Sequence, residues 1–188
     1  TDAVLAFTDI YHDPSLLHGR TKSGTPKLMI DDDGSCEKID CYRELEGVSN
    51  RVERARRILH KRGLWWIPHN GLFRSTAVRR VGGMRCHLGG DYKADWPWLL
   101  HFALLGEFVR VPEPLILKSW RSDSVSARWG RESNLWQSAA VLLACAREVY
   151  RARLSLIEQI QVQGSLVFFG ASQFVCCRRL PWRNSWRR

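Results

Sequence analysis

The chain opens on a short apolar run, Ala3-Val4-Leu5-Ala6-Phe7-Thr8-Asp9-Ile10-Tyr11, bounded by polar residues, which predicts a buried strand. Residues 12–36 are rich in Gly, Pro, Asp, Ser and Lys and predict an exposed loop, with Lys27-Leu28-Met29-Ile30 as a short strand inside it. Over residues 48–62 the apolar positions Val52, Ala55, Ile58 and Leu59 fall on one stripe with Arg and Lys opposite. That spacing predicts an amphipathic helix with Ser49 as N-cap and Gly63 as stop. Leu64–Phe73 predicts a strand entering a turn, and residues from Ser75 a short helix ended by Gly82-Gly83. A loop follows, then a helix from Ala94 or Asp95 to Leu105, with Pro97 in its first turn and Gly106 at its end. Residues 107–120 predict a strand, a proline turn and a second strand. Residues 122–134 predict a loop and residues 133–162 a long helix ended by Gly164. Strands separated by helices make a mixed α/β pattern, divided as 1–130, a helical piece 131–164 and a basic tail 165–188.

Composition sharpens this only in part. The 188 residues are 45% hydrophobic and 26% charged, an ordinary globular balance that argues against a disordered or fibrous chain. The formal charge of +10 favours an anionic partner: nucleic acid, a membrane surface or a phosphorylated substrate. The excess is uneven, since residues 178–188 hold five Arg and no acid, interleaved with Trp182 and Trp186. No helix-turn-helix, RNA-recognition or zinc-finger signature is present, so nucleic acid is not the expected partner. The six cysteines show no CxxC and no Cys/His ligand spacing, and Cys176 and Cys177 are adjacent, so no zinc site is expected. The absence of a signal peptide and of a 20-residue apolar run predicts a reduced, cytoplasmic setting without a membrane span.

Three segments in order carry chemistry. The first is Asn70-Gly71-Leu72-Phe73-Arg74-Ser75-Thr76-Ala77, closing on Val81-Gly82-Gly83. The second is Gly89-Gly90-Asp91-Tyr92-Lys93-Ala94-Asp95-Trp96-Pro97-Trp98, closing on Gly106. The third is Val109-Arg110-Val111-Pro112-Glu113-Pro114-Leu115, followed by Arg121. Their order and spacing over residues 2–130 resemble the C-terminal half of family-2 glycosyltransferases, which have the A-type glycosyltransferase fold.

The resemblance implies an inverting transfer of a sugar from a nucleotide-diphosphate donor to a hydroxyl acceptor. The acid that opens the second segment's helix is then the general base. Asp95 matches that place by its interval to Gly106, and Asp91 is the second choice. Ala94 stands where many members have Glu. A carboxylate at a helix start is also an ordinary N-cap. Arg74 would hold an anion near the cleft, and Arg121 would neutralise the leaving diphosphate. Trp96 and Trp98 would face a sugar ring, although Trp98, inside the helix, also fits core packing. Arg128-Trp129 ends a processive-synthase motif whose Gln is replaced by Val125, so a single addition is expected. The family's D-x-D motif holds a divalent metal, Mg or Mn, in the donor-binding half. Asp31-Asp32-Asp33 is too close to Asp95 for that role and reads as a polar turn. The expectation is therefore an incomplete fold lacking its N-terminal nucleotide-binding half and inactive alone. The acceptor would be a sugar or lipid-linked glycan at the cytoplasmic membrane face, with the basic tail on anionic lipid. A non-catalytic basic module binding nucleic acid or membrane, or an inactive gene remnant, remain the alternatives.

Overall fold

A computed structural model of the chain describes residues 3–12, 29–30, 36–40, 43–60, 70–118 and 135–179. It is a mixed α/β fold. The strands are β1 (Ala3–His12), β2 (Met29–Ile30), β3 (Cys36–Asp40), β4 (Leu72–Phe73) and β5 (Glu107–Lys118). The α-helices are α1 (Arg51–His60), α2 (Ser75–Val81), α3 (Asp95–Leu105), α4 (Leu135–Arg151) and α5 (Leu156–Arg179). β1 is the central strand. β5 runs parallel along its whole length, from Ala3 opposite Glu107 to His12 opposite Lys118. Its other edge is shared by two antiparallel strands: β4 beside Leu5 and Ala6, and β3 beside Ile10 to His12, with β2 outside β3.

The apolar run that predicted β1 fills the core: Val4, Leu5 and Phe7 are buried, with Phe7 fully so. α3 packs over them and buries Leu99, Leu100, Phe102, Ala103 and Leu104. Unlike the amphipathic α1, this helix is apolar nearly all round, because α1, α2 and α4 also lie against it.

Gly71 explains part of the first motif. A Cβ at this position would run into the Ala6 carbonyl oxygen, so only glycine lets the chain turn in so close to β1. The Arg74 N–H then donates to the Val4 carbonyl at 2.9 Å, and α2 begins at the next residue. Gly82 ends α2 as expected, with φ at 88°.

Four expectations are corrected. The N-cap of α1 is Asn50, whose Oδ1 accepts from the Val52 and Glu53 N–H groups at 2.9 and 3.0 Å, not Ser49. The polar face of α1 is not wholly solvated: Arg54 is buried, at 2% exposure. Residues 107–118 form one strand, not two around a turn. Pro112 and Pro114 fit because β5 has β1 as its only strand partner among the described residues, so their missing N–H groups can face outward. The pairing slips on either side of Asp9, opposite Pro114.

The fourth correction concerns the long C-terminal helix. It breaks at Ala152–Ser155 and resumes as α5, which runs straight through Gly164 to Arg179. The break has two causes. Arg153 takes the left-handed conformation, with φ at 51°. Ser155 and Glu158 then form a capping box: the Ser155 N–H and hydroxyl both donate to Glu158 Oε2 at 2.8 Å, and the Glu158 N–H donates back to Ser155 Oγ. Gly164 costs the helix only about 1 kcal/mol, which packing against α1 and α4 offsets. The boundary expected at 164–165 therefore falls inside a continuous helix.

Glu158 also ties α5 to α1. Arg51 donates to it through Nε at 2.8 Å and through a terminal nitrogen at 2.7 Å. Those bonds first, and the Ser155 bonds second, hold the Glu158 carboxyl down to about 2 from its ordinary 4.5. A depressed carboxyl stabilises the fold fully above its unfolded value, and that contribution fades as pH falls toward the folded one. Denaturant stability should therefore fall between pH 4.5 and about 2, with Glu158→Gln showing a shallower decline in that window. Identical slopes in the two proteins would rule the pair out as an acid-sensitive tie.

Candidate active site at the start of α3

The loop before α3 is pinned by His87. Its Nδ1 accepts from the Gly89 N–H at 3.0 Å, so Nε2 carries the proton donated to the Tyr92 carbonyl at 2.7 Å. His87 and Gly90 also exchange both backbone hydrogen bonds. This tight loop leaves Asp91 exposed and buries Tyr92. Tight turns follow, with Ala94 N–H donating to Asp91 O and Trp96 N–H to Lys93 O.

Lys93 has φ at 51°, the left-handed region that a long side chain seldom occupies. Its ammonium lies 4.2 Å from the Trp96 ring centroid and 5.0 Å from that of Tyr92. The sequence reading missed Lys93; its place between the two competing aspartates was the available signal.

Asp95 is the first residue of α3 and half-buried. Ala94 before it makes no side-chain cap. The positive end of the helix dipole favours an ionised carboxylate there. Asp95 also lies near α4: burial first, then the charges of Glu148 and Asp95, push the Cys145 thiol far up. Cys145 is therefore an inert core residue.

The two tryptophans have different neighbours. Trp96 packs on Phe169 of α5, with ring centroids 5.4 Å apart, under the Lys93 ammonium. Trp98 packs with ring centroids 4.7 Å from both Phe73, tilted, and Phe102, edge-on, and its indole N–H donates to the Gly82 carbonyl at 2.7 Å. Trp98 thus locks the end of α2 onto α3. It also borders a cleft of about 310 Å³ beside the start of α3, walled by Ala94, Pro97, His87 and Leu88. Asp95 is not among the residues lining that cleft.

Arg74 is exposed and lines a separate shallow cavity with Ala3, Thr76 and Arg80. The structure therefore brings Asp91, Lys93, Asp95 and Trp96 together around one helix start, with Trp98 a turn away, and leaves Arg74 outside that group. Arg121, Asp31-Asp32-Asp33, Arg128-Trp129 and the Trp-containing tail beyond Arg179 lie outside the described residues. Among the described residues no group of three or more His, Cys, Asp or Glu is placed to hold a metal ion. No described helix is long and apolar enough to cross a membrane.

No family model, curated protein or solved structure matches the chain. The functional reading therefore rests on the motif order and on the chemistry at the start of α3.

Proposed function

We propose that the chain is the acceptor-side part of an inverting glycosyltransferase that uses a nucleotide-diphosphate sugar. The observation that carries this is the position of Asp95. It is a half-buried carboxylate on the first residue of α3, two residues after a lysine in the left-handed region, within the ordered motifs from Asn70 to Leu115. Asp95 takes the proton from the acceptor hydroxyl as that oxygen attacks the anomeric carbon and the diphosphate leaves from the opposite face. The helix dipole favours the carboxylate form at this place. Trp96, packed on Phe169 under the Lys93 ammonium, holds the loop before α3 against the core. A divalent metal would act on the donor diphosphate; none of the described residues is assigned to it. The decisive experiment is transfer by the full-length gene product with Asp95→Asn, argued below.

The acceptor is lipid-linked and met at an anionic membrane. The support is one face of α5, where Ile157, Ile160, Val167 and Phe168 are 61–73% exposed. Arg56 and His60 of α1 border it beside Ile160 and Phe168. The sequence that follows α5 is rich in Arg and Trp. Apolar side chains beside an arginine are the pattern of a peripheral lipid contact. Sedimentation with anionic vesicles should capture the chain and zwitterionic vesicles should not. Ile160→Glu with Val167→Glu should weaken that capture at least about tenfold; undiminished capture would refute the contact.

A further inference from the structure

A cavity of about 790 Å³ opens at the other end of α3, where Leu104 and Leu105 form one wall. Leu105 in its wall stands at the opposite end of the helix from Asp95, about 15 Å away at the α-helical rise. Four arginines line it from four different places. Arg51 comes from the start of α1, Arg80 from the last turn of α2, Arg151 from the last turn of α4, and Arg153 from the turn before α5.

The four are not equivalent. Arg51 is held by Glu158, and Arg151 donates to Glu148 at 2.9 and 2.8 Å. Glu148 in turn accepts from His101 Nδ1 at 2.7 Å, so His101 is fixed in the same wall. Burial would raise the Glu148 carboxyl, but the bonds from His101 and Arg151 hold it below its ordinary value. These two arginines are rigid, neutralised lining. Arg80 and Arg153 have no side-chain hydrogen bond or ion pair among the described residues.

Arg80 and Arg153 are both solvent-exposed on the lining of one cavity, where like charges gain from an anion placed between them. The dipoles of α2 and α4 attract cations to their last turns, which accounts for Arg80 and Arg151. They do not account for Arg153. It stands past the end of α4 at φ 51°, where glycine or asparagine is cheaper, yet it carries a long cationic side chain.

We infer that this cavity is a binding site for a phosphate-bearing ligand, with Arg80 and Arg153 as its anion-binding pair. Two free guanidiniums match the two negative charges of a phosphate monoester or a diphosphate, and each guanidinium can donate two parallel hydrogen bonds to phosphate oxygens. Leu104, Leu105 and the exposed Tyr150 give the rest of the ligand an apolar wall. Nothing in this depends on Asp95 or on sugar transfer.

The test is calorimetric titration of the whole chain with inorganic pyrophosphate at low ionic strength. The expected result is one saturable site. Arg80→Ala and Arg153→Gly should each weaken it at least about tenfold. Arg153→Gly suits the left-handed backbone, so its fold is secure. Arg79→Ala removes the same charge from the same helix but lines no part of the cavity, and it should bind like the parent. Displacement of pyrophosphate by phosphatidic acid vesicles would support a lipid phosphate as the natural source. No displacement would support a soluble one. Absence of saturable binding, or equal losses in the Arg79 and Arg80 variants, would overturn the site.

Discussion

Asparagine in place of Asp95 should lower the turnover number for sugar transfer by about a thousand-fold, the middle of the range for a lost general base. The two side chains are nearly the same shape, but the amide cannot take the acceptor's proton. Because the lost interaction exists only in the transition state, KM for donor and acceptor should stay close to the parent. Through the helix dipole alone, a carboxylate in the first turn is worth about 0.3–1 kcal/mol. Asp91→Asn is the control, since Asp91 is exposed in the turn before the helix and its loss should leave the rate nearly unchanged. A collapse with Asp91→Asn alone would move the base to that residue. Full activity in both variants would defeat the transferase reading.

Arg54→Ala should cost about 3–5 kcal/mol of folding stability, because it strands acceptors and opens a cavity together. The guanidinium is buried among α1, α3 and the turn before α1. It donates to the Ala103 carbonyl at 2.7 Å, to the Ser49 carbonyl at 3.1 Å and to the Val48 carbonyl. Burial pushes its pKa down to about 10, against the opposing pull of Glu107, so it remains charged at neutral pH. In a chain of this size the loss corresponds to a drop in Tm of roughly 10 °C. Arg54→Met should lose less, because it fills the volume and leaves only the carbonyls without a donor. Urea unfolding with an unchanged slope would measure both. A shift below about 1 kcal/mol for Arg54→Ala would show that water replaces the guanidinium.

The contrast between α1 and α3 shows what local pattern can carry. α3 was legible almost to the residue, because Pro97 and Gly106 punctuate an uninterrupted apolar run. α1 was legible as a helix, but Arg54 looked like any residue of a solvated face. Its burial is decided by the carbonyls of Val48 and Ala103, the second about fifty positions away. The break at Ala152–Ser155 was legible in principle, since Ser155-Leu156-Ile157-Glu158 has the capping-box spacing. The continuous apolar stripe on either side concealed it. The prolines of β5 pointed to a turn because a sequence does not say which strand will lie at an edge. The site divides in the same way. Asp91 and Asp95 are visible as acids before a helix. The cavity at the far end of α3 is not, because its arginines meet only when five elements are packed.

The pairing of β1 with β5 joins residues about a hundred positions apart, and it sets the order in which the molecule can assemble. Closing so long a loop is entropically costly before any contact offsets it. The α4–α5 hairpin and its Ser155–Glu158 cap need no such closure and can form early. Until β5 docks, the full length of β1 on that side presents unpaired N–H and C=O groups beside apolar side chains, a template for another chain. Aggregation during synthesis or refolding is therefore a hazard of the first strand, and it ends when the last strand of the sheet arrives.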